Sequence, residues 1–218
     1  FNAKGCSIAR GCWCMYYRLS GSAGPLHSGT TRPRANRAQL KALVDAGDPP
    51  GLIGYRGKLP VGWVSVGPRE EYARLRRSPV MKPVDDQPVW SIVCFVVPSE
   101  YRGQGVARAL LQGAIAYAKK CGAALVEAYP VDKPTRANDE SMWFGAKSMY
   151  DKAGFVEVAR RIIGIERFYP DRGIAERAPR RRHQRVNRCI AQRQIEVELA
   201  EIEYLVHKTK FLYVTNIE

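Results

Sequence analysis

The sequence predicts an α/β fold built on a mixed sheet, and three observations carry that reading. Between residues 89 and 159, β-branched runs and runs of helical periodicity follow one another as strand, helix, strand, helix, strand. Residues 89–97 are β-branched and aromatic and are halted by Pro98, which reads as a central strand. Val106, Leu110, Leu111, Ala114, Ala118 and Cys121 recur at helical spacing. Lys119 and Lys120 fall in the last turn of that helix and Gly122 just beyond it.

The other elements follow in chain order. Leu40, Leu43 and Val44 share one face of a short amphipathic helix over residues 32–46, which Gly47-Asp48-Pro49-Pro50 stops. Residues 51–55 and 59–66 read as a hairpin turning at Arg56-Gly57-Lys58, and Gly67-Pro68 ends its second strand. Residues 69–88, with their prolines and mixed charge, read as an irregular excursion that shapes a substrate pocket rather than as a core element. A buried strand over 123–131, a helix over 142–153 and a strand over 154–159 complete the alternation. Beyond Gly173 an arginine cluster leads to the stripe Ile195, Leu199, Ile202 and Val206. Residues 1–172 are therefore expected as one domain, and 173–218 as a basic segment with an amphipathic helix or strand.

Composition narrows the function classes. A chain of 218 residues with 45% apolar and 26% charged side chains belongs with globular proteins and not with disordered or fibrous ones. The longest apolar run, residues 89–98, is too short to span a bilayer and no secretion signal opens the chain, which implies a cytoplasmic protein with no membrane partner. The cysteines at positions 6, 12, 14, 94, 121 and 189 are expected as reduced thiols, with Cys94 and Cys121 buried. No metal is expected, because Cys12-Trp13-Cys14 has no second ligand pair at a matching spacing. A net charge of +14 asks for an anionic partner. Much of that charge lies in Arg177, Arg180, Arg181, Arg182, Arg185 and Arg188, away from the segment that carries the chemistry.

That segment is Arg102-Gly103-Gln104-Gly105, which leaves a strand and opens a helix. Consecutive backbone N–H groups with no side chains in the way bind phosphate. A P-loop would need Gly-Lys-Ser/Thr where the chain has Gly105-Val106-Ala107, and a dinucleotide fingerprint would need glycine or alanine at Arg108. The pattern that fits is Arg/Gln-x-x-Gly-x-Gly/Ala, as Arg102, Gly105 and Ala107. Downstream, Ala146-Lys147-Ser148-Met149-Tyr150-Asp151-Lys152-Ala153-Gly154-Phe155 follows Ala-x-x-x-Tyr-x-x-x-Gly-Phe. On these two motifs residues 51–160 resemble the GNAT superfamily of acyl-CoA-dependent N-acetyltransferases.

The resemblance implies a central splayed sheet flanked by helices, with acetyl-CoA as co-substrate. It implies that main-chain groups of Phe95, Val96 and Val97 pair with the pantetheine amides, and that Arg102, Gly103, Gln104, Gly105, Val106 and Ala107 surround the pyrophosphate. One departure is Trp143, which stands where many relatives carry Asn. Acyl transfer to an amine needs a neutral nucleophile, a polarised carbonyl and a protonated leaving thiolate. Tyr150 is the expected proton donor, and Glu127, with Asp132 behind it, the expected base. A packed aromatic ring or a buried ion pair would use the same residue types.

The function expected is transfer of acetyl to a primary amine of a small molecule or peptide. Glu70, Glu71, Asp85 and Asp86 are placed to attract a cationic acceptor, although a solvated loop explains them as well. A rival reading makes the arginine cluster a nucleic-acid grip, without an aromatic-interleaved stretch to support it. A third gives the C-terminal module to homodimer formation, which is compatible with catalysis.

Overall fold

The computed structural model of the chain describes residues 1–20, 30–132, 142–163, 186–194 and 213–216. The helices are α1 (Ser7–Cys12), α2 (Arg32–Ala46), α3 (Ala73–Arg77), α4 (Val106–Lys120) and α5 (Lys147–Lys152). The strands are β1 (Gly51–Arg56), β2 (Leu59–Pro68), β3 (Trp90–Val96), β4 (Leu125–Ala128), β5 (Val131–Asp132), β6 (Val156–Ile163), β7 (Val186–Gln194) and β8 (Tyr213–Asn216). They form one mixed sheet in the order β5-β7-β4-β3-β2-β1-β8, with β6 also on β7. The α/β reading and the hairpin at Gly57, which adopts φ 59°, both hold.

The β1–β2–β3 meander is antiparallel, and α4 then carries the chain over to β4, which lies parallel to β3. Those two strands pair only at Trp90–Val126, Ser91–Glu127 and Ile92–Ala128. Past Ile92, β3 runs on to Val96 with β2 on one side and no β4 partner on the other. The central strands thus part, and the opening between them positions the site.

Both faces of β3 are covered, which is why its sequence is apolar without alternation. Ile92 joins Val61, Val64, Leu110, Leu111, Ala114 and Ala118 in the cluster under α4. Val93 joins Tyr72, Leu75, Tyr129 and Phe144 in a cluster on the opposite face. Close approach of α4 depends on Gly62, where an added Cβ would stand 2.8 Å from Leu110 Cδ1 and 2.9 Å from Val106 Cγ1.

Four sequence readings need correction. The excursion over 69–88 is partly core, since Tyr72 and Leu75 are fully buried beside a 3₁₀ turn and the five-residue α3, too short to show a period. The helix expected from residue 142 starts at Lys147, because Gly145 takes φ 81° and Ala146 is extended. Cys121 caps α4 and is exposed rather than on its buried stripe. Val186–Gln194, read as appendage, is a sheet strand between β4 and β6. The stripe from Ile195 to Val206 lies outside the described residues.

Candidate active site

A cavity of about 1180 Å³ opens where β3 and β4 part. Residues 94–97 form one wall, the turn with Arg102, Gly103 and Gly105 closes one end, and Ser148, Met149 and Lys152 of α5 stand beside it. The N-terminal segment, with Cys6, Cys14, Tyr16 and Tyr17, and the α3 residues Arg74 and Arg77 also line it.

The turn is built as its glycines dictate. Gly103 and Gly105 adopt φ 73° and 82°, the left-handed region that costs other residues strain, and Gly105 is the N-cap of α4. An added Cβ at either would meet nothing within 4 Å, so the turn needs glycine for its backbone angle and not for internal room. Among the described residues, no N–H from 103 to 108 donates to a protein group. A concave run of unspent donors at a helix N-terminus is an anion cradle.

The side chains around the turn brace it. Arg102 Nε donates to Val97 O at 3.0 Å and Nη2 donates to Gly5 O, so the guanidinium fastens the exit of β3 to the N-terminal segment. Gln104 Nε2 donates to Glu100 O at 2.6 Å and its Oε1 accepts from Arg56 Nη1 at 2.9 Å, on the outer side of the turn. Val106, the first residue of α4, is buried, and both it and Ala107 line the cavity.

Along β3, Phe95 N–H donates to Trp143 O at 2.6 Å, across the gap from β2. Successive strand residues alternate in direction, so Phe95 and Val97 present main-chain groups to the slot while Val96 turns its own to β2. Of the expected pantetheine partners, the slot-side groups are therefore the Phe95 carbonyl, which accepts only the Cys94 thiol at 3.8 Å, and the Val97 N–H. Trp143, the departure from the family pattern, takes one donor through its backbone and lines the cavity with its side chain.

Tyr150 and Glu127 are both buried, and neither lines the cavity. The Tyr150 hydroxyl donates to Phe144 O at 2.6 Å, and its ring meets Phe155 edge-on at 5.1 Å. Burial pushes its phenol far above the ordinary range, so it stays protonated. The Glu127 carboxylate accepts from Ser91 at 2.5 Å, from Tyr129 and from Arg69. Arg69 also reaches Met81 O, and with 1% of Glu127 exposed the network is buried, its three bonds to Glu127 all falling on Oε1. Asp132 accepts from Arg160 Nη1 at 2.7 Å and is likewise off the cavity.

Sequence reasoning missed the N-terminal wall. The Cys14 thiol lies within hydrogen-bonding reach of Cys12 and Cys94; the contact with Cys12 lowers its pKa, but the contact with Cys94 and burial together raise it by more, so Cys14 stays protonated on the wall. The charged side chains on the described lining are Arg74, Arg77, Arg102, Arg108 and Lys152, all cations. The spacing Cys-x-Cys was the one signal for that wall.

The sheet with its parted central strands and the glycine turn at a helix N-terminus define an acyltransferase-like α/β class. The sequence model of the acetyltransferase (GNAT) family matches residues 25–155, and the chain belongs to that family. Among solved structures it is similar to yncA of Salmonella typhimurium with its cofactor acetyl-CoA, at 15% identity, TM-score 0.48, covering 90% of this chain and 92% of that one. It is similar to a ribosomal-protein-alanine N-acetyltransferase from Brucella melitensis, at 15% identity and TM-score 0.46, over 86% and 95% of the two chains. It is also similar to an N-acetyltransferase from Staphylococcus aureus Mu50, at 14% identity and TM-score 0.45, over 86% and 93%. No curated protein matches the chain. No helix among the described residues is long and apolar enough to cross a membrane.

Proposed function

We propose that this protein transfers an acetyl group from acetyl-CoA to a primary amine. The observation that carries the reading is the row of unspent N–H donors from 103 to 108 at the end of the slot. A pyrophosphate satisfies those donors and the helix N-terminus together, while the Phe95 carbonyl and Val97 N–H match the amide pattern of a pantetheine arm.

In the reaction, the amine nitrogen attacks the thioester carbonyl, the C–N bond forms, the C–S bond breaks, and the thiolate takes a proton. We assign that proton to Tyr150, which must give up its bond to Phe144 O to deliver it. Catalytic hydrogen bonds often form only in the substrate complex, so the resting contact is compatible with the role. Glu127 is given a structural role instead of the base role its strand position suggested, because it is buried, ion-paired to Arg69 and absent from the cavity lining. The described lining carries no carboxylate or imidazole, and we assign the amine's proton to water.

The test follows thiol release from acetyl-CoA over a panel of amines and peptides. The reading expects release that depends on the amine, with kcat/KM rising with pH through the pKa of each acceptor. A rise at one fixed pH for every acceptor would point to a protein base and contradict the assignment. Nothing in the described residues favours the nucleic-acid reading: Arg177, Arg180, Arg181, Arg182 and Arg185 lie outside them, and Arg188 falls within β7.

A further inference from the structure

The described lining of the cavity carries cations from the glycine turn, α4 and α5, and two more from α3. Arg102, Arg108 and Lys152 surround the glycine turn, where phosphates belong. Arg74 and Arg77 lie on α3, on a separate wall tied to the N-terminal segment through Arg74 N–H on Tyr17 O at 3.0 Å. The Arg74 guanidinium sits 4.0 Å over the ring of Tyr16, which holds it in one place. Arg77 is exposed and has no ion-pair partner among the described residues.

The acids once expected to draw a cationic acceptor are elsewhere. Glu71 accepts from Arg18, Asp85 accepts from Gln87 N–H at 3.1 Å, and Glu70 and Asp86 are exposed. None of the four lines the cavity. A polycation entering it would face two guanidinium groups and no described carboxylate. An anion would find planar donors that match a carboxylate or phosphonate. Met81, Met142 and Trp143, also on the lining, offer an apolar surface to the rest of such a molecule.

We propose that the acceptor is a primary amine that also carries an anionic group, which Arg74 and Arg77 bind while the amine faces the thioester. This rests on the acetyl-CoA reading of the same cavity. It also runs against simple reactivity, since removing the negative charge from an amino acid lowers its amine pKa and leaves more of it nucleophilic.

The test measures thiol release at saturating acetyl-CoA with matched acceptors: L-leucine against L-leucinamide, 2-aminoethylphosphonate against ethanolamine, and spermidine as the polycation. Binding of acetyl-CoA is measured in parallel by calorimetry. The anionic member of at least one pair should have a kcat/KM higher by about tenfold or more, a preference that shrinks at high salt. Arg77→Ala should narrow that ratio through KM, and Arg77→Glu should move the preference toward spermidine. Equal or better use of the neutral amines or spermidine by the unmodified protein would overturn the proposal. So would a ratio indifferent to both Arg77 substitutions, or no turnover of any anionic amine by protein that binds acetyl-CoA. Failure to bind acetyl-CoA would instead remove the reading beneath it.

Discussion

The two ends of β3 handle charge in opposite ways. At its start, Ser91 faces Glu127 across the paired part of the sheet, and the carboxylate there accepts from Ser91, Tyr129 and Arg69. Past its end, the turn from 103 to 108 leaves its N–H groups unspent beside an open cavity. A buried charge paired with a guanidinium is held inside the protein, whereas unspent donors at a helix N-terminus are tolerable only where water or an anion reaches them. The first arrangement holds the sheet and the cavity-lining Met81 segment in place, and the second is where we propose that acetyl-CoA binds.

The largest expected effect comes from breaking the closed end. Glu127→Ala leaves Arg69 charged, buried and short of a partner, which should cost about 3–5 kcal/mol in urea unfolding. Protein that remains folded should bind acetyl-CoA with unchanged affinity. A stable variant that has lost acetyl-CoA binding would place Glu127 in the site after all.

Next comes Tyr150→Phe, which keeps the ring and removes the hydroxyl on Phe144 O. As proton donor, its loss should lower kcat by about 10²- to 10⁴-fold with acetyl-CoA affinity nearly intact. Because burial raises the phenol far above its ordinary range, the unmodified enzyme should show no alkaline fall in rate from this group below pH 10. A kcat that barely moves in Tyr150→Phe would reduce the residue to a packing role.

Alkaline pH should loosen the fold gradually. Burial, the largest cause, raises Tyr72 from 10.0 to about 12, and burial also raises Tyr129 and Tyr150. Each is neutral in the fold, so its stabilisation is complete below the unfolded pKa near 10 and is lost as pH rises toward the folded value. Stability measured by denaturant should therefore fall above pH 10, less steeply in Tyr72→Phe.

Gln104→Ala gives the smallest effect. Its side chain braces the outer face of the turn through exposed bonds to Glu100 and Arg56, contacts of about 0–1 kcal/mol. Acetyl-CoA affinity should change by less than about threefold if the main chain, and not this side chain, holds the phosphates.

How much of this was legible in sequence follows the range of each interaction. The β-branched run of β3, the stripe of α4 and the glycines at 103 and 105 act locally, and pattern alone revealed them. The ion pair of Glu127 was not legible because its partner Arg69 stands 58 positions earlier, and nothing in either neighbourhood announces it. The N-terminal wall escaped for the same reason: Gly5 is fastened to Arg102 and Arg74 to Tyr17 only once the chain has folded. Gly145 did carry a local signal, a glycine inside a helical pattern, and it was the turn before α5.

The central claim is that unspent main-chain donors between 103 and 108 bind acetyl-CoA, and one comparison by calorimetry tests it. Gly105→Val places a branched side chain at φ 82° in the cradle, and Gly57→Val imposes a similar backbone demand at φ 59° in the hairpin turn, away from the cavity. Gly105→Val should weaken acetyl-CoA binding by about a hundredfold or more, close to 3 kcal/mol, while Gly57→Val binds as the unmodified protein does. Equal affinity in all three proteins would contradict the account and take the glycine turn out of the site.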